Sequence, residues 1–160
     1  MNCQDSRLSE IVRVAFYLAS QSNIPIPRNT ICEGVTIAAP FSGNPVLALA
    51  LTPASENEAQ LQNAPSLKVT AARQAAGNLF THDLQLSLNL IPSAVRAAHN
   101  SLVGKDFDIL YTHADGSQTL SYGLPNASFL DIEDKLDNTP TMTLKAKILS
   151  LSNVITITAP

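Results

Sequence analysis

The chain lacks tryptophan and has only two cysteines and six glycines among its 160 residues. Cys3 and Cys32 are too few for a disulfide framework, and neither stands in a C-x-x-C pair or near a histidine at ligand spacing, so we interpret both as reduced thiols. The glycines form no G-x-x-x-x-G-K or G-x-G-x-x-G motif, which argues against nucleotide binding. Without tryptophan, the stacking surfaces that bind sugars or single-stranded bases are hard to assemble.

Charge is also scarce. Charged residues make up 14% of the chain, against about 25% in an average soluble domain. The formal net charge is -3, the pI is near 5.5, and lysine and arginine form no run. We therefore expect no surface that grips phosphates, and apolar surface that partner proteins cover.

The amino terminus gives no targeting signal. Residues 1–7 lack the basic region of a secretory signal, and the apolar stretch Ile11–Ala19 is interrupted by Arg13. That stretch is far shorter than the ~20 residues needed to span a bilayer. We expect no export, no membrane insertion and a single domain over residues 1–160.

Alternation of apolar and polar residues predicts most of the strands. In the second half it marks 84–90, 105–112, 118–123, 127–132, 141–148 and 154–158, with a tight turn at Asp115–Gly116 and a bulge or bend between Ile148 and the last strand. In the first half it marks 35–39, 46–51 and 67–71. Leu84, Leu86, Leu88 and Leu90 are the clearest case, because three polar residues separate them.

Helical signals are fewer. Pro92 suits a first helical turn, apolar residues follow at helical spacing, and Gly104 can end the helix, which predicts one over about 92–103. A capping box at Ser55 and Glu58 predicts a short helix before Pro65. Residues 11–18 fit a strand or a helix, and β-branched content slightly favours the strand. The predicted fold is mainly β, an antiparallel β-sandwich or open barrel with one flanking short α-helix.

Candidate catalytic and metal-binding residues are few. His82, His99 and His113 lie in three different predicted elements without metal-ligand spacing, and there is no G-x-S-x-G motif. His113 and Asp115 are predicted to lie in a solvated turn. We expect no enzyme, no catalytic residue, no metal and no cofactor. A small metalloenzyme built on His82, Asp83 and His113 is a weaker alternative.

Residues 46–51 are apolar on both faces of their predicted strand. Such a strand needs a covering layer within the domain or a neighbouring subunit. The first explanation places Ala48 and Ala50 against a helix, and the second makes Val46, Leu47, Leu49 and Leu51 inter-subunit contacts.

The order of elements over residues 79–158, with phrases such as DFDILYTHADGSQTLSYG and NASFLDIEDK, resembles bacteriophage tail tube-like and head-to-tail (neck) structural proteins. The resemblance implies a virion protein, assembled in the bacterial cytoplasm. Its copies form a homo-oligomeric ring, commonly a hexamer, in contact with other tail or neck proteins. DNA is only non-specific transiting cargo, and no small-molecule substrate is expected.

Within that resemblance, acidic residues are candidates for lining the channel: Asp131, Glu133, Asp134 and Asp137. The stretch 52–77 is the candidate arm toward an adjacent subunit. The alternative function is a secreted or surface β-sandwich binding module of the adhesin, pilin or carbohydrate-binding type. The missing signal and the absence of tryptophan argue against that alternative.

Overall fold

Strands dominate the described chain, as the alternating patterns predict. The computed structural model describes residues 10–24, 34–36, 39–54, 58–74, 77–88, 93–102, 104–124, 129–135, 141–150 and 155–158. In chain order the strands are β1 Ile11–Leu18, β2 Gly34–Thr36, β3 Leu47–Ala50, β4 Ala59–Gln60, β5 Ser66–Gln74, β6 Gly77–Leu88, β7 Phe107–His113, β8 Gln118–Leu124, β9 Phe129–Lys135, β10 Thr141–Ser150 and β11 Ile155–Thr158. A 3₁₀ turn spans Ala19–Gln21, and the helix α1 spans Ser93–Leu102. The predicted mainly β fold with one short helix is confirmed.

The strands form two sheets. The seven-stranded sheet has the order β2-β11-β8-β7-β1-β3-β4, and the four-stranded sheet has the order β5-β6-β10-β9. Neighbouring strands are antiparallel except for the parallel pairs β11–β2 and β3–β4. Every pairing in the four-stranded sheet is antiparallel.

One hydrophobic core lies between the two sheets. Its buried residues include Phe16, Leu49 and Ile109 from the seven-stranded sheet and Leu84 and Leu88 from the four-stranded sheet. Their alternation along each strand is what brings one apolar face of each sheet to the other. The core therefore follows directly from the period-two pattern.

The two sheets are joined along one side by the chain between β4 and β5. Leu61 forms an isolated bridge with Leu88, and the backbone N–H of Gln62 donates to the carbonyl of Ser87 at 2.8 Å. The chain thus passes from the edge of the seven-stranded sheet to the edge of the four-stranded sheet, and its backbone is hydrogen-bonded on the way.

A second, smaller apolar cluster covers the other face of the seven-stranded sheet. Ala15, Leu110 and Leu120 are buried there with Ile24. The rings of Tyr17 and Phe41 stack with centroids 4.1 Å apart and an angle of 4° between their planes. The central strands of this sheet are therefore covered on both faces by the chain itself.

That covering corrects one expectation about β3. Leu47 and Leu49 are buried in the core of the chain, and Val46 and Leu51 pack against the same core. A neighbouring subunit is not needed to cover them, so the reason for a predicted inter-subunit role at these residues disappears.

The helix α1 occupies Ser93–Leu102 of the predicted 92–103, and positions 92 and 103 lie outside the described residues. Leu102 is buried in the main core and Ala98 packs against it. Gly104 has a φ of +73°, the left-handed conformation that glycine adopts without strain.

Three further predictions about local structure have clear outcomes. Residues 11–18 form a strand, as favoured. The predicted helix after Ser55 is wrong for the described residues 58–65, which include β4, while 55–57 lie outside the described residues. The predicted bulge or bend after Ile148 does not occur up to Ser150, because β10 pairs with β6 in regular register to that residue, and 151–154 lie outside the described residues.

Glu58, the intended capping residue, has a different partner. Its carboxylate accepts a hydrogen bond from the Arg13 guanidinium at 2.9 Å. This ion pair links Glu58, which directly precedes β4, to β1. Because Arg13 keeps 38% of its side chain exposed, solvent screens the attraction and the pair adds little stability.

Candidate functional site

Among the residues whose burial the structure describes, Asp108 of β7 is fully buried, and five further polar side chains are buried between the sheets. His82 comes from β6, Tyr111 and His113 come from β7, and Thr119 and Ser121 come from β8, and none is more than 4% exposed. Polar groups removed from water need partners within the protein. We name these five residues the polar cluster.

Ser121 takes part in two hydrogen bonds within the core. Its hydroxyl is 2.8 Å from Nδ1 of His82 and 2.9 Å from the hydroxyl of Tyr111. Because His82 belongs to the four-stranded sheet and Ser121 to the seven-stranded sheet, the His82–Ser121 bond links the two sheets, whereas the Tyr111–Ser121 bond lies within the seven-stranded sheet. The three residues lie 10 to 39 positions apart along the chain.

The environment of Tyr111 keeps its phenol protonated. Burial raises the pKa of Tyr111 well above its usual range, and the hydrogen bond with Ser121 lowers it by less. The apolar core disfavours the phenolate because a buried charge loses its hydration. Tyr111 therefore acts as a neutral hydrogen-bonding group.

His113 and Thr119 form the second part of the polar cluster. Nε2 of His113 is 2.9 Å from the hydroxyl of Thr119, and His113 is only 4% exposed. The expectation of a solvated His113 is therefore wrong, because β7 continues one residue further than predicted and packs into the core.

The turn itself follows the prediction. Asp115 is exposed, and its carboxylate accepts hydrogen bonds from the backbone N–H and the hydroxyl of Ser117. Gly116 has a φ of +88°. The Asp-Gly pair thus makes the hairpin turn between β7 and β8.

A serine hydroxyl bonded to a histidine is the arrangement that activates a nucleophile in many hydrolases. Ser121 and His82 are both 0% exposed, however. A substrate has no access to side chains that the two sheets cover completely. Burial therefore makes this pair part of the packing between the sheets.

The other candidate residues, Asp83 and His99, lie apart from the polar cluster. Asp83 lies opposite Lys68 of β5 in the strand register and follows the buried His82 directly. Because neighbouring residues of a strand lie on opposite faces, His82 and Asp83 lie on different faces of the sheet. His99 is half-buried on α1. Among the described residues, no three His, Cys, Asp or Glu side chains form a group that could hold a metal ion.

The four-stranded sheet ends in two long strands, β5 and β9. In the described part of the chain, neither strand has a partner on its outer side. β5 has nine residues and β9 has seven. Along β5, Ser66, Lys68 and the run 70–73 are exposed, so this edge is open to solvent.

The two edges carry charges of opposite sign. The cationic residues of β5 are Lys68 and Arg73, and β5 has no acidic residue. β9 carries Asp131, Glu133 and Asp134 against one lysine, Lys135. The two outer strands of one sheet are therefore electrostatically complementary.

The backbone register places the predicted channel-lining residues of β9 on two different faces of the sheet. Asp131 and Glu133 lie opposite Lys145 and Thr143 of β10, whereas Asp134 alternates with them and lies on the other face of β9. Asp137 lies outside the described residues. The four acidic residues therefore do not share one face, and a channel-lining role stays a prediction for Asp131 and Glu133.

Comparison with protein-family models, with curated proteins and with solved structures finds no match. No helix in the described ranges is long and apolar enough to cross a membrane.

Proposed function

We propose that this chain is a non-catalytic structural subunit of a bacteriophage tail tube or neck, and that its copies join edge to edge into a ring in the virion. The observation that carries the proposal is the pair of outer strands, β5 and β9, to which no other strand of the described residues pairs on the outer side. Strand edges of this length pair readily with other chains unless something blocks them.

The described edge of β5 has few of the features that block such pairing. It contains no proline, and its register with β6 is unbroken from Ser66 to Gln74. Its one charged residue in the middle is Lys68. An interface between two different edges is head-to-tail, and it closes into a ring when the rotation between copies divides a circle.

The closed core is consistent with this role. The polar cluster connects the two sheets and gives no substrate access, since its five side chains are at most 4% exposed. A rigid sandwich of this kind suits a building block, because its edges keep a fixed geometry.

The outer face of the four-stranded sheet suits a channel wall. Exposed Lys68 and Lys145 alternate there with Gln85, Ser66 and Thr70. By the strand register, Lys68 and Lys147 lie opposite Asp83, and Lys145 lies opposite Asp131. Lys135 and Glu133 occupy the same face, which gives four lysines against three carboxylates. A surface whose charges nearly cancel does not grip phosphates, so DNA would pass without being held.

Six copies would contribute 24 strands to such a wall. With ~4.8 Å between strands and a tilt of ~35°, the backbones would enclose a channel about 45 Å across. That width leaves room for a DNA duplex between the side chains of opposite walls.

Measurement of the mass and shape of the purified chain tests the proposal. Native mass spectrometry and negative-stain electron microscopy should show a closed ring, six copies being the expected number. A strictly monomeric species at high concentration, with no ring or tube even beside other tail proteins, would refute the proposal.

A further inference from the structure

The order of strands fixes the relative direction of the two edges. β5 and β9 are separated by three antiparallel pairings, so they run in opposite directions within one copy. Rotation about a ring axis along the strands preserves each direction. In a ring, β5 of one copy therefore meets β9 of the next copy in antiparallel orientation.

The hydrogen bonds of β6 identify which groups of β5 are available. The carbonyl of Ser87 points to the side of β6 that lies away from β10, where it accepts from Gln62. In an antiparallel ladder the side to which the backbone N–H and C=O groups point alternates from residue to residue. The backbone groups of Lys68, which lies opposite Asp83, therefore point inward to β6. Leu67, Val69 and Ala71 then direct their N–H and C=O groups to the outer edge.

The same alternation carries across the sheet to β9. By this alternation the backbone N–H and C=O groups of Lys145 in β10 and of its register partner Asp131 are directed toward each other. The backbone groups of Asp131 and Glu133 are therefore directed toward β10. The outer edge of β9 therefore presents the backbone groups of Leu130, Ile132 and Asp134.

We infer that, in the ring proposed above and depending on it, β5 pairs with β9 of the next copy in the register that places Lys68 opposite Glu133 and Val69 opposite Ile132. All seven residues of β9 then find a partner in Ser66–Ala72. Each lysine-glutamate pair lies at a non-hydrogen-bonded position, where side chains of opposite strands are closest.

This register also gives a sheet that closes. It staggers each copy by four residues relative to the next, a rise of about 13 Å over the ~19 Å width of four strands. The resulting tilt of about 35° lies at the lower end of the range of closed barrels. An alternative two-fold pairing of β5 with β5 of a second copy brings no acidic residue to Lys68, so charge favours the β5–β9 interface.

Disulfide trapping tests the register. Cys3→Ser and Cys32→Ser remove the native thiols, and Lys68→Cys with Glu133→Cys is then oxidised in the assembled protein. Opposed residues at a non-hydrogen-bonded position have Cα atoms about 4.5 Å apart, within disulfide range. We expect a reducible ladder of covalent multimers whose linked peptides contain positions 68 and 133.

The matched control pairs Lys68→Cys with Asp131→Cys, two residues out of register, and we expect at least tenfold less cross-linking. Rings that cross-link equally or better through position 131, or through neither pair, would overturn the register while leaving the proposed function intact. A chain that remains monomeric in every background would overturn both.

Charge reversal gives a second readout that needs no cysteine. Lys68→Glu should weaken each interface about fivefold, because it places like charges opposite each other, and Glu133→Lys added to it should restore assembly. Lys105→Glu, at an exposed position outside both edges, should leave the ring unchanged. Failure of the double variant to recover, with circular dichroism showing folded protein, would contradict the pairing.

Discussion

Replacement of Ser121 by alanine is the sharpest test of how the two sheets are held together. The change removes one hydroxyl that lies 2.8 Å from His82 and 2.9 Å from Tyr111, and all three side chains are 0% exposed. A buried hydrogen bond contributes about 1 kcal/mol, and leaving its partners poorly satisfied adds about 1–3 kcal/mol. We therefore expect Ser121→Ala to lower the free energy of unfolding by about 2–4 kcal/mol.

Urea unfolding followed by far-ultraviolet circular dichroism measures this change, since the chain has no tryptophan to report by fluorescence. Ser101→Ala is the matched control: that hydroxyl is exposed and donates only to the carbonyl of Ala97. Its effect should stay within about 0.5 kcal/mol. An equal effect of the two substitutions would refute the view that Ser121 connects the sheets.

The remaining predictions concern the core, the pH dependence and the turn. Leu49→Ala should cost about 3–5 kcal/mol of unfolding free energy, because Leu49 is fully buried within the chain; loss of assembly without loss of stability would instead make it an interface residue. The raised pKa of Tyr111 means that the folded chain holds this proton more tightly than the unfolded chain. The stability that this protonated phenol contributes is thus complete below pH ~10 and declines as the pH rises further. Above pH 10 the melting temperature of Tyr111→Phe should fall less steeply than that of the unchanged chain, and equal slopes would contradict this. Gly116→Ala should cost about 1 kcal/mol because of the φ of +88°, and an unchanged melting temperature would count against the turn geometry.

Local pattern was sufficient to predict most strands, because buried and less buried side chains alternate along strands such as β6. Of the alternating leucines before the helix, Leu84, Leu86 and Leu88 do form part of β6, and Leu90 lies outside the described residues. The Asp-Gly pair makes the predicted turn. The period-two signal weakens where a strand leaves the core. For that reason the start of β6 at Gly77 and the exposed end of β5 were not predicted.

Errors arose where a distant residue decided the outcome. A capping box at Glu58 is a valid local signal, yet this carboxylate pairs with Arg13, 45 positions away. His113 was expected in solvent because it stands beside a turn, but its hydrogen bond to Thr119 places it in the core.

The polar cluster could not be predicted for a related reason. Its members come from three strands in two sheets, and their contacts depend on how the sheets face each other. The burial of Leu47 and Leu49 likewise depends on the opposite sheet, so the sequence pattern alone left the choice between a covering layer and a neighbouring subunit open.

If copies of this chain complete each other's sheet edges, a covalent link should form between positions 68 and 133 of neighbouring copies. Oxidation of the double cysteine variant should then give a reducible ladder ending at the mass of a closed ring. A folded protein that gives only the mass of one chain after oxidation, and that native mass spectrometry also finds monomeric before oxidation, would contradict edge-to-edge assembly.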